Sequence, residues 1–414
     1  MFKKIFILYF LSVMSLFATE SIIIDDGADS VETEQTTEAK TTENKAVKEE
    51  SATTEPVVLA KFDDKLIEDY KNIPLEVKIG QMFIIGFSGY EISDEVKDYI
   101  NNYHIGGVIL FNRSLNGKVP NIESPEQVKK LNADLQNESS MVKLFISIDQ
   151  EGGKVSRLNK SNGFFNTKTA AELGLNPTTD ATYEEAKKIA TMLKDNGFNL
   201  NFAPSVDVNV NPDNPVIAKY GRSYSDNPNI VVQHALAFIM AHNEEGVITT
   251  IKHFPGHGSS TTDSHAGFVD ITKTFKDYEL QPFKDIIKVG FQGGVLSAHV
   301  MNKNVDKKYP ASLSKKFVYG VLRKQLGFDG VVFSDDLKMK AIEDNFTLEE
   351  TLVNAINSTT DVLVYSNNLG EYKPEFIKEA VAIVKKNVEN GNIKMDRINE
   401  SYLRIMKLKK EMLY

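Results

Sequence analysis

The stretch Lys252-His253-Phe254-Pro255-Gly256-His257-Gly258-Ser259-Ser260-Thr261-Thr262-Asp263-Ser264-His265 holds three of the chain's seven histidines within thirteen residues, beside a lysine and an aspartate. Histidine is the side chain whose unperturbed pKa lies nearest neutrality, so it can give and take protons at physiological pH. An aspartate two positions away can orient the ring and stabilise its cation. That is the composition of an acid–base loop. Further along, Ser334-Asp335-Asp336-Leu337 sets two carboxylates side by side. A carboxylate in a pocket can attack as a nucleophile or stabilise a developing cation, and an aspartate is also a favoured helix cap. Spacing alone leaves both roles open. Successive strand residues point to opposite faces, so Asp335 suits the pocket and Asp336 the cap.

Such residues need a frame that brings them together. Eight apolar runs, 82–87, 107–111, 144–149, 200–207, 248–253, 294–299, 330–335 and 361–365, alternate with amphipathic stretches such as 182–195, 230–243, 278–289 and 313–325. Most runs are apolar on both faces, as strands of a parallel sheet covered by helices should be. Eight of them over about 350 residues fit one (β/α)8 barrel, a TIM barrel, as a single catalytic domain; a doubly wound open sheet is the structural rival. Six runs finish in polar chemistry: Asn112-Arg113, Asp149-Gln150-Glu151, Asp207, Lys252-His253, His299 and Asp335-Asp336. The C-terminal strand ends are where barrel sites are built, so one convergent pocket is expected there.

The chain has 414 residues, formal net charge −9 and no cysteine. Without cysteine there are no disulfides, thiol nucleophiles, thiolate metal sites or cysteine-linked lipid anchors. Residues 1–19, with Lys3 and Lys4 before an apolar run from Ile5 to Phe17, read as a secretory signal, with an uncleaved anchor as the alternative. Residues 20–57 read as a disordered acidic Thr/Glu-rich linker; Glu20–Glu55 alone holds −8, against −3 for residues 56–414. Residues 58–414 are the expected barrel. Nothing is basic enough to suggest nucleic acid as a partner.

The histidine loop, with Lys252-His253-Phe254-Pro255-Gly256-His257-Gly258 and Asp263-Ser264-His265, resembles the signature loop of glycoside hydrolase family 3, in its bacterial β-N-acetylglucosaminidase (β-N-acetylhexosaminidase) branch. Ser334-Asp335-Asp336-Leu337 resembles that family's nucleophile segment, and Ile148-Asp149-Gln150-Glu151-Gly152-Gly153 and Gly221-Arg222-Ser223-Tyr224 resemble two further blocks. The similarity runs in order from about Leu66 to Leu413. Lys154 departs from the family's usual arginine and Lys338 from a small residue. The resemblance implies a retaining exo-glycosidase releasing terminal β-linked N-acetylglucosamine, with peptidoglycan fragments as the natural source. Asp335 would form a glycosyl-enzyme, and His265, oriented by Asp263, would serve as acid and base. Retaining sites set their two reacting groups roughly 5 Å apart. Asp149, Arg157, Arg222, Lys252 and His253 are implied as sugar contacts. A neutral imidazole base would not repel an anionic acceptor, so phosphorolysis is a further expectation; a phosphate-free medium would then slow turnover. The reading calls for no metal and no organic cofactor, a monomer with no stable partner, and a periplasmic setting across the inner membrane.

His265 lies twelve residues past His253 in a run of small polar residues, so its loop is expected to move and to close over substrate. His257 and His299 are expected to be structural, and His104, His234 and His242 receive no role. Rival readings are a β-glucosidase or other β-hexosidase on the same fold, and a non-catalytic glycan-binding protein of the envelope. A zinc site on His253, His257 and His265 with Asp263 matches no common ligand spacing.

Overall fold

Runs of β-branched and aromatic residues form the eight strands of one parallel sheet: β1 (Phe83–Gly86), β2 (Gly107–Ile109), β3 (Phe145–Ile148), β4 (Leu200–Asn201), β5 (Ile248–Phe254), β6 (Gly294–Ser297), β7 (Val332–Ser334) and β8 (Leu363–Tyr365). The computed structural model describes residues 61–414 except 115, 264–266, 268 and 369, so the predicted signal (1–19) and linker (20–57) lie outside the described residues. From β1 to β7 every strand pairs with the next in sequence, β8 pairs with β1, and a bridge from Phe333 to Val362 brings β7 against β8. The parallel ring thus nearly closes, and the rival open sheet is set aside. Helices follow the strands as the crossover rule requires.

The barrel interior is packed. Phe145, Phe202 and Phe333 meet edge to face at 6.2 and 5.5 Å between ring centroids, all three buried. Beneath them the C-terminal helix Met395–Leu413 inserts Lys409, fully buried, whose Nζ donates to Gln81 Oε1 and the Gly106 carbonyl, both at 2.8 Å. Burial holds that amine well below its ordinary pKa. The β7–β8 seam is closed from the same side by Asp361. Its Oδ2 accepts from the Val332 N–H at 3.0 Å and from Arg323 at 2.6 Å, and its Oδ1 accepts from Arg397 at 2.6 Å.

The helices start where local chemistry allows. Ser124 caps Pro125–Glu138 by accepting from the Gln127 N–H, with proline at the first position where no N–H is needed, and Thr347 and Glu350 form a capping box for Leu348–Asn357. Helices Asp180–Asp195 and Pro228–Glu245 pack together on the outside, flanking β4 in sequence. Two expected elements are shorter than their apolar runs. The run 200–207 is strand only at Leu200–Asn201, because Pro204 offers no N–H to a ladder; one bridge, Ser205 to Lys252, continues it. The stretch 278–289 divides into a tight turn, Asp277–Leu280, and a helix, Gln281–Lys288, with Pro282 near the start of the second. Among the described residues no helix is long and apolar enough to cross a membrane.

Candidate active site

Asp149 follows β3, and the chain then doubles back in a hairpin, Gln150–Gly152 against Val155–Ser156, that returns Arg157 to it. Gln150 holds this fold from within: its Oε1 accepts from the N–H groups of Arg157 and Leu158 at 2.9 and 3.0 Å. Asn201 at the end of β4 grips the Gln150 backbone from below, accepting from its N–H at 3.0 Å and donating to its carbonyl at 2.9 Å. Asn201 is in turn steadied by His242, whose Nδ1 faces the Phe238 carbonyl at 3.0 Å and whose Nε2 faces Asn201 Nδ2 at 3.1 Å. Burial pushes His242 down to about 3, so it stays neutral, with Nδ1–H donating and Nε2 accepting.

Lys252, near the end of β5, spans two carboxylates: Asp149 Oδ1 at 2.9 Å and Glu151 Oε1 at 2.6 Å. Arg157 donates to Asp149 Oδ2 at 3.1 Å and lies over the Phe111 ring at 5.5 Å. Arg222 arrives on the loop after β4 and takes Glu151 with both edges of its fork, Nε to Oε2 at 2.8 Å and Nη2 to Oε1 at 2.7 Å. The same Nη2 donates to His253 Nε2 at 2.9 Å, and His253 Nδ1 donates to Asp207 Oδ2 at 2.6 Å. An arginine can only donate, so His253 in this arrangement carries its proton on Nδ1 and has both nitrogens engaged. The five predicted sugar contacts, Asp149, Arg157, Arg222, Lys252 and His253, are therefore one connected mesh.

Burial would raise the carboxyls of this mesh, but the cations overcome it. Lys252 and Arg157 hold Asp149 down at about 2, and Arg222 and Lys252 hold Glu151 well below its usual range. Lys252 gives an N–H to each of these two carboxylates, and among the described residues the buried Nε of Arg157 has no hydrogen-bond partner. Asp149 and Arg157, with side chains 20% and 19% exposed, are the members of the mesh that face outward, and a charged acceptor beside a forked donor suits a ligand carrying many hydroxyls and an amide.

Glu151 and Asp207 were legible as strand-end carboxylates but carried no assignment. Glu151 is the bridge between Lys252 and Arg222. Asp207, fully buried, gathers Ser205 Oγ at 3.0 Å, His253 Nδ1, and the His257 N–H at 2.7 Å. His257 stacks edge-on against His253 at 5.8 Å, and burial, with His253 beside it, brings its pKa down to about 4. It is a structural member of the loop, as expected.

Beyond Pro255 the loop is pinned before it reaches Asp263. Asn214 Nδ2 donates to the carbonyls of His257 and Gly258 at 2.7 and 3.1 Å, Asn211 Nδ2 donates to that of Ser260 at 2.8 Å, and Glu279 Oε2 accepts from the Ser259 N–H at 3.0 Å. Gly258 runs so close to β4's extension that a Cβ would sit 1.7 Å from the Val208 carbonyl oxygen, so no other residue fits. Glu279 is wholly buried, and burial raises its carboxyl to about 7. Asp263 stands half-buried in the loop, and its predicted partner His265 lies outside the described residues, as do 264, 266 and 268 of the segment expected to move.

Asp335 stands half-buried at the C-terminal end of β7, the same rim as the mesh. Its N–H donates to the Ser297 carbonyl at 3.0 Å, and its Oδ1 accepts from the Asp336 N–H at 2.9 Å. Asp336 turns away, as strand alternation requires. Its Oδ1 accepts from the backbone N–H groups of Ser366 and Lys338 at 2.9 and 3.1 Å, and its Oδ2 accepts from the Ser366 hydroxyl. Asp336 is therefore not the helix cap expected of it: it ties a turn to Ser366, and the short helix that follows, Lys340–Glu343, has Met339 as its N-cap. Burial, with Asp335 adding to it, raises Asp336 to about 6.

A family model described as "Glycosyl hydrolase family 3 N terminal domain" matches residues 74–408, a span that contains all eight strands and every predicted site residue. The chain belongs to glycosyl hydrolase family 3. Within the family it is 33% identical over 345 residues to "Beta-hexosaminidase A" of Pseudoalteromonas piscicida, covering 76% of this chain and 55% of that protein. It is 30% identical over 312 residues to "Beta-hexosaminidase" of Xylella fastidiosa (strain M23), covering 73% and 87%. Among solved structures, a family 3 β-N-acetylglucosaminidase from a Paenibacillus species superposes with a TM-score of 0.75 at 36% identity, covering 82% of this chain and 63% of that one. The β-N-acetylhexosaminidase of Beutenbergia cavernae gives 0.72 at 28% identity, with 82% and 99% covered. The chain therefore spans about half the length of one relative and nearly all of another.

Proposed function

We propose that this glycoside hydrolase is a retaining exo-β-N-acetylglucosaminidase. The observation that carries the reading is the mesh of Asp149, Arg157, Glu151, Arg222 and Lys252 at the mouth of a family 3 barrel. Relatives named beta-hexosaminidase support the choice of sugar. The mesh would grip the hydroxyls and acetamide of the terminal sugar and leave its anomeric carbon toward Asp335. In the first step a bond forms from an Asp335 oxygen to that carbon, the bond to the aglycone oxygen breaks, and the oxygen takes a proton from His265. In the second, His265 removes a proton from water, the water oxygen attacks the same carbon, and Asp335 leaves as carboxylate. Asp263 would hold the His265 ring and stabilise its cation.

The export reading of residues 1–19 makes the periplasm the site of action, with the enzyme acting as a monomer. Peptidoglycan fragments fit that location as the natural substrate. The test is a panel of chromogenic β-glycosides with residues 57–414, beside Asp335→Ala and His265→Ala. Cleavage of the N-acetylglucosaminide, lost with Asp335 and lowered in a pH-dependent way with His265, supports the proposal. Preference for a β-glucoside redirects the sugar assignment, and no cleavage of any glycoside, with or without phosphate, favours a glycan-binding protein. Analysis of the released sugar as free sugar or 1-phosphate separates hydrolysis from phosphorolysis.

A further inference from the structure

His299 lies fully buried two residues past β6, between the nucleophile segment and the acid–base loop. The residues that follow it, Val300–Met301, pair with Val269–Asp270, the far stem of the loop carrying Asp263 and His265, and the Met301 carbonyl accepts from the Ile271 N–H at 2.8 Å. Its ring reaches in the other direction. Nε2 is 2.9 Å from the Asp336 carbonyl oxygen, and Nδ1 is 2.7 Å from the Ser312 hydroxyl. A carbonyl only accepts, so Nε2 carries the proton and Nδ1 accepts from Ser312. Ser312 is itself buried and fixed, its N–H bonded to the Ala298 carbonyl at 3.0 Å.

The group that His299 grips belongs to the turn that aims Asp335. One oxygen of the Asp335 carboxylate is held by the Asp336 N–H, and the carbonyl of that same residue takes the His299 proton. Rotation about Asp336 would therefore swing the carboxylate. We propose that His299 is a positioning residue. Through the Asp336 backbone it keeps the Asp335 carboxylate in fixed register with the Val269–Asp270 stem. The proposal rests on Asp335 as nucleophile and His265 as acid and base. A misplacement of about 1 Å in such a pair can cost about a hundredfold in rate.

The test compares His299→Leu, which fills the space without a donor, with His299→Gln, which restores an amide N–H near the Nε2 position, and with Ser312→Ala. The readouts are kcat and KM on a chromogenic N-acetyl-β-glucosaminide, the rate at which a 5-fluoro glycosyl fluoride of the same sugar labels Asp335, and Tm. His299→Leu should lower kcat and the labelling rate together by about 30-fold or more, with KM within about threefold, and His299→Gln should recover most of the loss. Parent-like kcat and labelling in His299→Leu would overturn the proposal, as would equal losses in the Leu and Gln variants at parent Tm. Should His299→Leu fail to fold, Ser312→Ala decides the matter: a lower kcat at unchanged KM supports the role, and an unchanged kcat overturns it. Full activity in Asp335→Ala, with His299 intact, would instead remove the nucleophile assignment on which the proposal stands.

Discussion

At the scale of single residues, the site is a set of charges that hold one another. Glu151 and Lys252 have side chains only 6% and 3% exposed, so removing the carboxylate strands a buried ammonium and releases the Arg222 fork. Breaking such a pair costs the fold about 3 kcal/mol, and a displacement of about 1 Å in Lys252 and Arg222 would cost about a hundredfold in rate. Glu151→Gln is expected to lower kcat/KM by that order, measured in steady state on an N-acetyl-β-glucosaminide. The low carboxyl pKa values also carry a sign. Asp149 and Glu151 are depressed below their ordinary values, so their contribution to stability is complete above those ordinary values and is lost only as pH falls through the folded ones. Between pH 5 and 8 both stay ionised, and a pH profile of kcat/KM in that window should be unchanged in shape by Glu151→Gln. A shifted acid limb in that variant would count against the assignment. Strand-end positions made Asp149, Lys252 and Asp335 visible in the sequence. Glu151 and Asp207 could not be ranked that way, because their partners are distant in sequence: Arg222 and Lys252 for Glu151, and His253 and His257 for Asp207.

At the scale of elements, the long loop after β5 shows how far sequence reading extends. Small polar residues suggested weak tethering, yet the stem 257–260 is bound by Asn211, Asn214 and Glu279. Three long-range partners from other loops were needed, and no local pattern announces them. Glu279 makes this stem sensitive to pH. Its folded pKa, about 7, lies above the ordinary 4.5 because of burial. The folded state therefore binds more protons than the unfolded one between those values, and the stabilisation present at low pH is lost as pH rises through about 7. The difference is on the order of 3 kcal/mol. Glu279→Gln, which cannot ionise, is expected to flatten the decline of stability between pH 5 and 8, read from denaturant midpoints at each pH. A parallel decline in variant and parent would contradict this. The strands were more legible than the loops because apolar runs on both faces are a local property; β4 is shorter than its run, which contains Pro204, a residue with no N–H to give a ladder.

At the scale of the whole molecule, ring closure is what turns scattered strand ends into one rim. The alternation of runs and helices was enough to favour a barrel, but the closing contact is not a local signal: Asp361 reads as the start of a strand and acts as the anchor of Arg323 and Arg397 across the β7–β8 seam. Asp361→Ala leaves both guanidiniums buried without it and is expected to destabilise the fold by about 3–5 kcal/mol, measured as a lower urea midpoint; an unchanged midpoint would show that the seam is held elsewhere. With the ring nearly closed, β3, β5 and β7 present Asp149, Lys252 and Asp335 at one end, and the proposed chemistry depends on the last of these forming a covalent bond to sugar. The most direct test is mass spectrometry of the protein after reaction with a 5-fluoro glycosyl fluoride of N-acetylglucosamine, with digestion to locate the adduct. One added sugar is expected, on the peptide containing Asp335, with simultaneous loss of activity. Label on another residue, or turnover with no covalent species and inverted product, would contradict it.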